Sequence, residues 1–229
     1  MIKLIGFGTV LLTSILIRCD QKYVRFETAQ PEGVKASKTF HKKLRGEFVN
    51  CQDPNKILVI SKNQIVIEHH DALTIHRNDL EIDSPIDKTN DELLREELST
   101  YGYLAEFYSD SIKLIEHWKD TIFQFASNEI LKKFQGSYFL NYELEEGFWA
   151  VDRLDLRKDS LFIGAITPSD ELLTFNFTVK NEEFNEKDST TSTEYLLKPS
   201  RDQFKKFMKS NAFEQTECYY RKKMICHKI

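Results

Sequence analysis

Two stretches of ten residues constrain this chain more than any other feature. LVISKNQIVI (58–67) and LDLRKDSLFI (154–163) each set four polar residues, Ser61–Gln64 and Arg157–Ser160, between two short apolar runs. Runs of this length divided by a polar turn form β-hairpins, because alternate side chains of a strand share one face and small polar residues suit the reversal. Each hairpin follows the same signal. KKLRGEF (42–48) and KKFQGSY (132–138) both place two lysines ahead of an apolar residue, a glycine and an aromatic. With a short insertion near Tyr142–Gly147, the chain reads as a tandem duplication. Gly46 and Gly136 are expected just inside a strand start, where a missing Cβ permits a sharp bend.

Further strands are expected at 72–82, 171–179, 193–197 and 213–224. Residues 102–126 read as three strand-like segments joined at Ser109-Asp110 and Lys119-Asp120, and 181–193 as a polar loop. Two short helices are expected where Thr89 with Glu92, and Ser200 with Gln203, match the capping-box spacing. After the second come Phe204, Phe207 and Met208, an apolar stripe at helical spacing. The expected class is mainly β (α+β). It comprises antiparallel sheets from two β-rich repeats at 40–128 and 129–229, with one or two short helices, including one near the C-terminus.

Composition narrows the function classes. A hydrophobic fraction of 41% with 12% aromatic residues describes a chain that builds a core. The net charge of −4 comes from 36 acids and 32 bases that are interspersed. The basic stretches at 41–43 and 221–223 are short, and nucleic-acid binding, which needs a concentrated basic face, is not expected.

The run from Leu4 to Ile17 follows Lys3 and is closed by Arg18 and Asp20. A spanning helix needs about 20 apolar residues, whereas a secretory core segment needs about 7–15. Residues 1–18 are therefore expected to be a signal peptide. Leu16-Ile17-Arg18-Cys19 resembles the lipobox of bacterial lipoproteins, although Arg18 stands where that family has a small residue. The resemblance implies that Cys19 becomes the lipidated first residue of the mature chain. Residues 19–39, with Pro31 and Gly33, are expected to form a tether. The Gly-x-aromatic openings at Gly46 and Gly136 are similar to the first strand of lipocalin-like calycins. That likeness implies a barrel around a small apolar ligand.

The sequence carries no H-E-x-x-H, G-x-S-x-G, C-x-x-C or phosphate-cradling glycine loop, so no enzyme and no cofactor is expected. Glu68-His69-His70-Asp71 is the most ligand-like cluster. On a strand only Glu68 and His70 share a face, and His76 would have to complete a set, so the stretch is expected to be a polar hairpin end without a metal. With Cys19 lipidated, Cys51, Cys218 and Cys226 remain. Cys218 and Cys226 lie too far apart on one strand to pair. Cys51 reaches Cys218 only if the last strand returns beside the first hairpin, and half-buried free thiols are the expectation. Tyr103, Phe107, Phe123 and Phe125, then Ile112, Leu114 and Trp118, and finally Trp149, are expected in the core. The chain is thus expected to be a membrane-anchored envelope lipoprotein, periplasmic or surface-facing, that serves as a non-catalytic binding or accessory module, with a protein or a small apolar ligand as its candidate partner. The alternative is a carrier of a small apolar ligand. No ligand-binding residue is assigned.

Overall fold

A computed structural model describes residues 3–4, 21–81, 87–126, 128–185, 190–210 and 212–222. Cys19, Cys226 and all of the leader except Lys3–Leu4 lie outside the described residues. The strands are β1 (Lys3–Leu4), β2 (Gln21–Phe26), β3 (Ala36–Ser37), β4 (Gly46–Asn50), β5 (Lys56–Ile60), β6 (Gln64–His76) and β7 (Leu80–Glu81). Helix α1 (Asp91–Thr100) precedes β8 (Tyr103–Phe107), β9 (Ser111–Gln124), β10 (Glu129–Phe134) and β11 (Ser137–Glu143). There follow β12 (Trp149–Arg157), β13 (Ser160–Ile166), β14 (Thr178–Asn185), β15 (Thr190–Leu197), α2 (Arg201–Phe207) and β16 (Phe213–Arg221). The class is mainly β, and of the two α-helices among the described residues one lies near the C-terminus, as the periodicity predicts.

The chain divides into two compact units, one of residues 16–67 and 121–229, the other of 1–15 and 68–120. In the first, the strand order is β14-β15-β2-β12-β13-β16-β4-β5-β6, and β11, β10 and β3 extend from β12. Its pairs are antiparallel except β2 with β15, which run parallel from Gln21↔Ser192 to Phe26↔Leu197. Both expected hairpins form: β5 turns into β6 after Ile60, and β12 turns into β13 through Lys158-Asp159. Each belongs to a three-stranded meander, β4-β5-β6 and β11-β12-β13, and β16 stands between them. The two glycines, however, do different work. Gly46 opens β4 at φ +137°, and an added Cβ would meet Arg221 Nη1 at 2.6 Å. Gly136 instead lies in the turn before β11, where it and Gln135 both have positive φ, the geometry of a two-residue hairpin loop.

β11 is buried on both faces and separates two apolar clusters. Phe48, Leu58, Ile60, Ile65, Phe123, Leu140, Leu154 and Tyr219 fill the first. Phe139 points into the second, with Phe26, Val151, Tyr195, Phe204 and Phe207. Helix α2 forms as expected: Ser200 and Gln203 complete a capping box, and the 204, 207, 208 stripe is buried. Burying its two Phe side chains is worth roughly 1.5–3 kcal/mol each.

Four expectations fail for identifiable reasons. Residues 21–39 of the expected tether are packed: β2 is a strand, Phe26 and Gln30 are buried, and Lys132 Nζ donates to the carbonyls of Ala29 at 2.6 Å and Pro31 at 3.0 Å. Residues 181–193 are no loop either, because β14 and β15 pair from Asn185↔Thr190 to Thr178↔Leu197. The expected strand at 171–179 begins as a 3-10 turn, Asp170–Thr174, and enters β14 only at Thr178. Lys119-Asp120 makes no turn, since β9 runs unbroken through it. The free-thiol expectation fails as well. β16 does return beside β4, Cys51 N donates to Cys218 O at 2.8 Å, and the two cysteines, with Cα atoms 5.4 Å apart, form a disulfide.

In the second unit, β8 pairs with β9 from Tyr103↔Glu116 to Phe107↔Ile112, and β1 pairs with β7. Leu94 and Leu98 of α1 pack with Ile75, Leu80, Ile112 and Leu114. The helix starts one residue later than Thr89 predicts: the Asn90 side chain accepts from Glu92 N and Leu93 N, while Thr89 bonds Asp87. Among the described residues, no helix is long and apolar enough to cross a membrane.

Candidate functional site

The ligand-like stretch at 68–71 lies in β6, and β6 is hydrogen-bonded beside β9. Because side chains alternate along a strand, Glu68 and His70 share one face while His69 takes the other. β9 supplies the complementary set, His117 and Lys119 on one face and Trp118 on the other. The contacts follow that alternation. The His70 and His117 rings stack with centroids 4.2 Å apart and planes 12° apart. On the opposite face His69 stacks on Trp118 at 3.9 Å.

Glu68 joins the imidazole pair to the lysine. Its Oε1 receives Lys119 Nζ at 2.6 Å. Its Oε2 lies 3.9 Å from His70 Nε2 and 4.0 Å from His117 Nε2. The Lys119 hydrogen bond holds the Glu68 carboxyl below its ordinary range, outweighing the opposing effect of burial. One carboxylate oxygen is therefore held by an ammonium, and the other, ionised, faces two imidazoles. The Glu68 side chain is 21% exposed and those of His70 and His117 are 41% and 35% exposed, so solvent reaches all three.

The sequence leads to half of this site. Glu68 and His70 do share a face, but His76 does not complete it: its ring Nδ1 accepts from Asn78 N and caps the following 3-10 turn. His117 stands in its place, 47 residues further on than His70 and visible only once β6 and β9 are paired. Trp118 also departs from expectation, being 42% exposed against His69, whereas Ile112 and Leu114 are buried as expected. Phe123 is buried and Phe125 packs beside it, Tyr103 and Phe107 pack on the Ile112 cluster, and Trp149 packs on the Phe139 cluster.

The larger unit holds a second group of ionisable side chains. Burial, with the charge of Glu217 second, pushes the Asp152 carboxyl up to about 6. Glu217 is engaged by Lys56, whose Nζ donates to Oε1 at 2.5 Å, and by the Tyr219 hydroxyl. Asp152 shares with Leu154 and Leu156 the face of β12 that meets the first apolar cluster. Tyr142, on the same cluster, is also driven upward by burial. These side chains are tied into strand-to-strand packing.

Compared with protein-family models, with curated proteins and with solved structures, the chain matches none.

Proposed function

We propose that the chain is an exported, lipid-anchored binding module of the bacterial cell envelope and performs no catalysis. The observation that carries this reading is the Cys51–Cys218 bond. Structural disulfides persist in oxidising compartments and are rare in reducing ones. A chain that opens with a signal-like apolar run and a lipobox-like Cys19 is addressed to such a compartment. The binding function rests on one face of the β6 and β9 ribbon, where Glu68, His70, His117 and Lys119 come together in reach of solvent. The carrier alternative finds less support, because Phe40, Phe48, Phe123 and Tyr219 fill the interior of the first cluster.

Anchorage has a geometric corollary. The chain enters the sheet at Gln21, two residues past Cys19, a span of at most about 7 Å. Lipid on Cys19 therefore holds the folded unit against the bilayer with no spacer between them.

The test is the intact mass of the protein from a membrane fraction, beside a Cys19→Ser variant. The expected chain starts at Cys19, carries acyl mass that the variant lacks, and has Cys51 and Cys218 resistant to alkylation before reduction. A chain that begins at Met1 without acyl mass overturns the anchored reading.

A further inference from the structure

We propose that Glu68, His70 and His117 form a binding site for a borderline divalent transition-metal ion, Zn²⁺ foremost. One ligand atom from each of the three residues lies within 4.8 Å of the other two. Zn²⁺ bound by imidazole nitrogen and carboxylate oxygen at about 2.1 Å, with tetrahedral angles, separates its ligand atoms by roughly 3.4 Å. The ligand atoms therefore have to draw together by about 1 Å, and the two rings have to turn out of their stack so that their in-plane lone pairs meet at one ion. The His70 and His117 rings are part-exposed and stand at the surface, so solvent leaves room for that turn.

The donor set selects the class of ion. Two imidazoles and one carboxylate suit Zn²⁺, Cu²⁺ or Ni²⁺, whereas Ca²⁺ and Mg²⁺ demand oxygen ligands throughout. Lys119 does not block the site. It binds Oε1 and so orients the carboxylate with Oε2 toward both imidazoles, the role that partners behind a metal ligand usually play. Three protein ligands leave a fourth position open to water or to a donor from a partner. The site has a rigid seat, because its ligands come from two hydrogen-bonded strands rather than from a loop.

This inference names a ligand for the binding module proposed above, yet it holds whether or not Cys19 is acylated. Its test is equilibrium dialysis of the full, untagged chain in detergent against Zn²⁺ alone. One ion per chain is expected. His70→Ala and His117→Ala each weaken binding by about tenfold or more, Glu68→Gln weakens it, and His69→Ala and His76→Ala leave it unchanged. Circular dichroism confirms that each variant is folded. Co²⁺ supplies a readout of position: it quenches the fluorescence of Trp118, next to His117, and the quenching is lost in Trp118→Phe and in His117→Ala. No bound Zn²⁺, or binding that survives both histidine substitutions, overturns the proposal. So does binding lost only in Cys226→Ser or His227→Ala, which places the ion at the C-terminus. The mass measurement described above is unaffected by any of these results, so the two readings fail separately.

Discussion

Replacing Asp152 by Asn should make the folded protein more stable at neutral pH, and the gain should vanish in acid. Burial pushes the carboxyl from 3.8 to about 6, with Glu217 adding to the effect. The unfolded chain loses this proton near pH 4, while the folded chain keeps it until near pH 6. Between those limits the folded state holds more protons than the unfolded state, so stability falls as pH rises through the window and stays lowered above it. A shift of about two units corresponds to about 3 kcal/mol as a ceiling, at about 1.4 kcal/mol per unit. Asp152 keeps some contact with solvent, which reduces the expected difference to about 1–2 kcal/mol. Asn has nearly the same shape and no charge to bury. Urea unfolding of both proteins, disulfide intact, at intervals from pH 4 to pH 7 measures the effect. Taking the difference between the two proteins cancels the other titrating groups. The expected difference is near zero at pH 4 and reaches its full value by pH 7. A difference that does not change with pH, or an Asn variant that is the less stable at pH 7, refutes the reasoning.

Lys132→Met should cost about 2–4 kcal/mol in the same assay, because the buried carbonyls of Ala29 and Pro31 lose their donor. Asn90→Ala should lower stability by about 1 kcal/mol and Thr89→Ala by less than about 0.5 kcal/mol, since Asn90 and not Thr89 caps α1. Equal effects at the two positions would contradict the observed cap. Phe204→Ala, which empties a site against Phe26, Phe139, Phe207 and Phe213, should cost about 3–5 kcal/mol, read as a lower thermal midpoint.

What could be read from the sequence was local. Both hairpins, the Ser200 capping box and the buried stripe of α2 depend on residues within about ten positions of one another, and all appear where the pattern places them. What could not be read depended on pairing across the chain. β2 carries Tyr23, Val24 and Phe26 among polar neighbours, too short a run to announce a strand, and gains its place from β15 in parallel register. Lys119-Asp120 has the composition of a turn, but β9 is held extended there beside β6, with Lys119 on Glu68. His117 was invisible as a companion of Glu68 and His70 for the same reason: which residues face one another is a property of register, and register belongs to the sheet. The disulfide likewise waits on β16 lying beside β4.

The position of β16 has a consequence for how the chain must be delivered. The last described strand joins the two meanders, and the first strand after Cys19 finds its partner in β15. The strand that pairs with both meanders, and the Cys218 that pairs with Cys51, come only with residues 213–221; the crosslink closes across a separation of 167 residues. Assembly therefore waits for β16, and a chain cut short before Phe213 loses the strand between its two meanders together with the cysteine that locks it there.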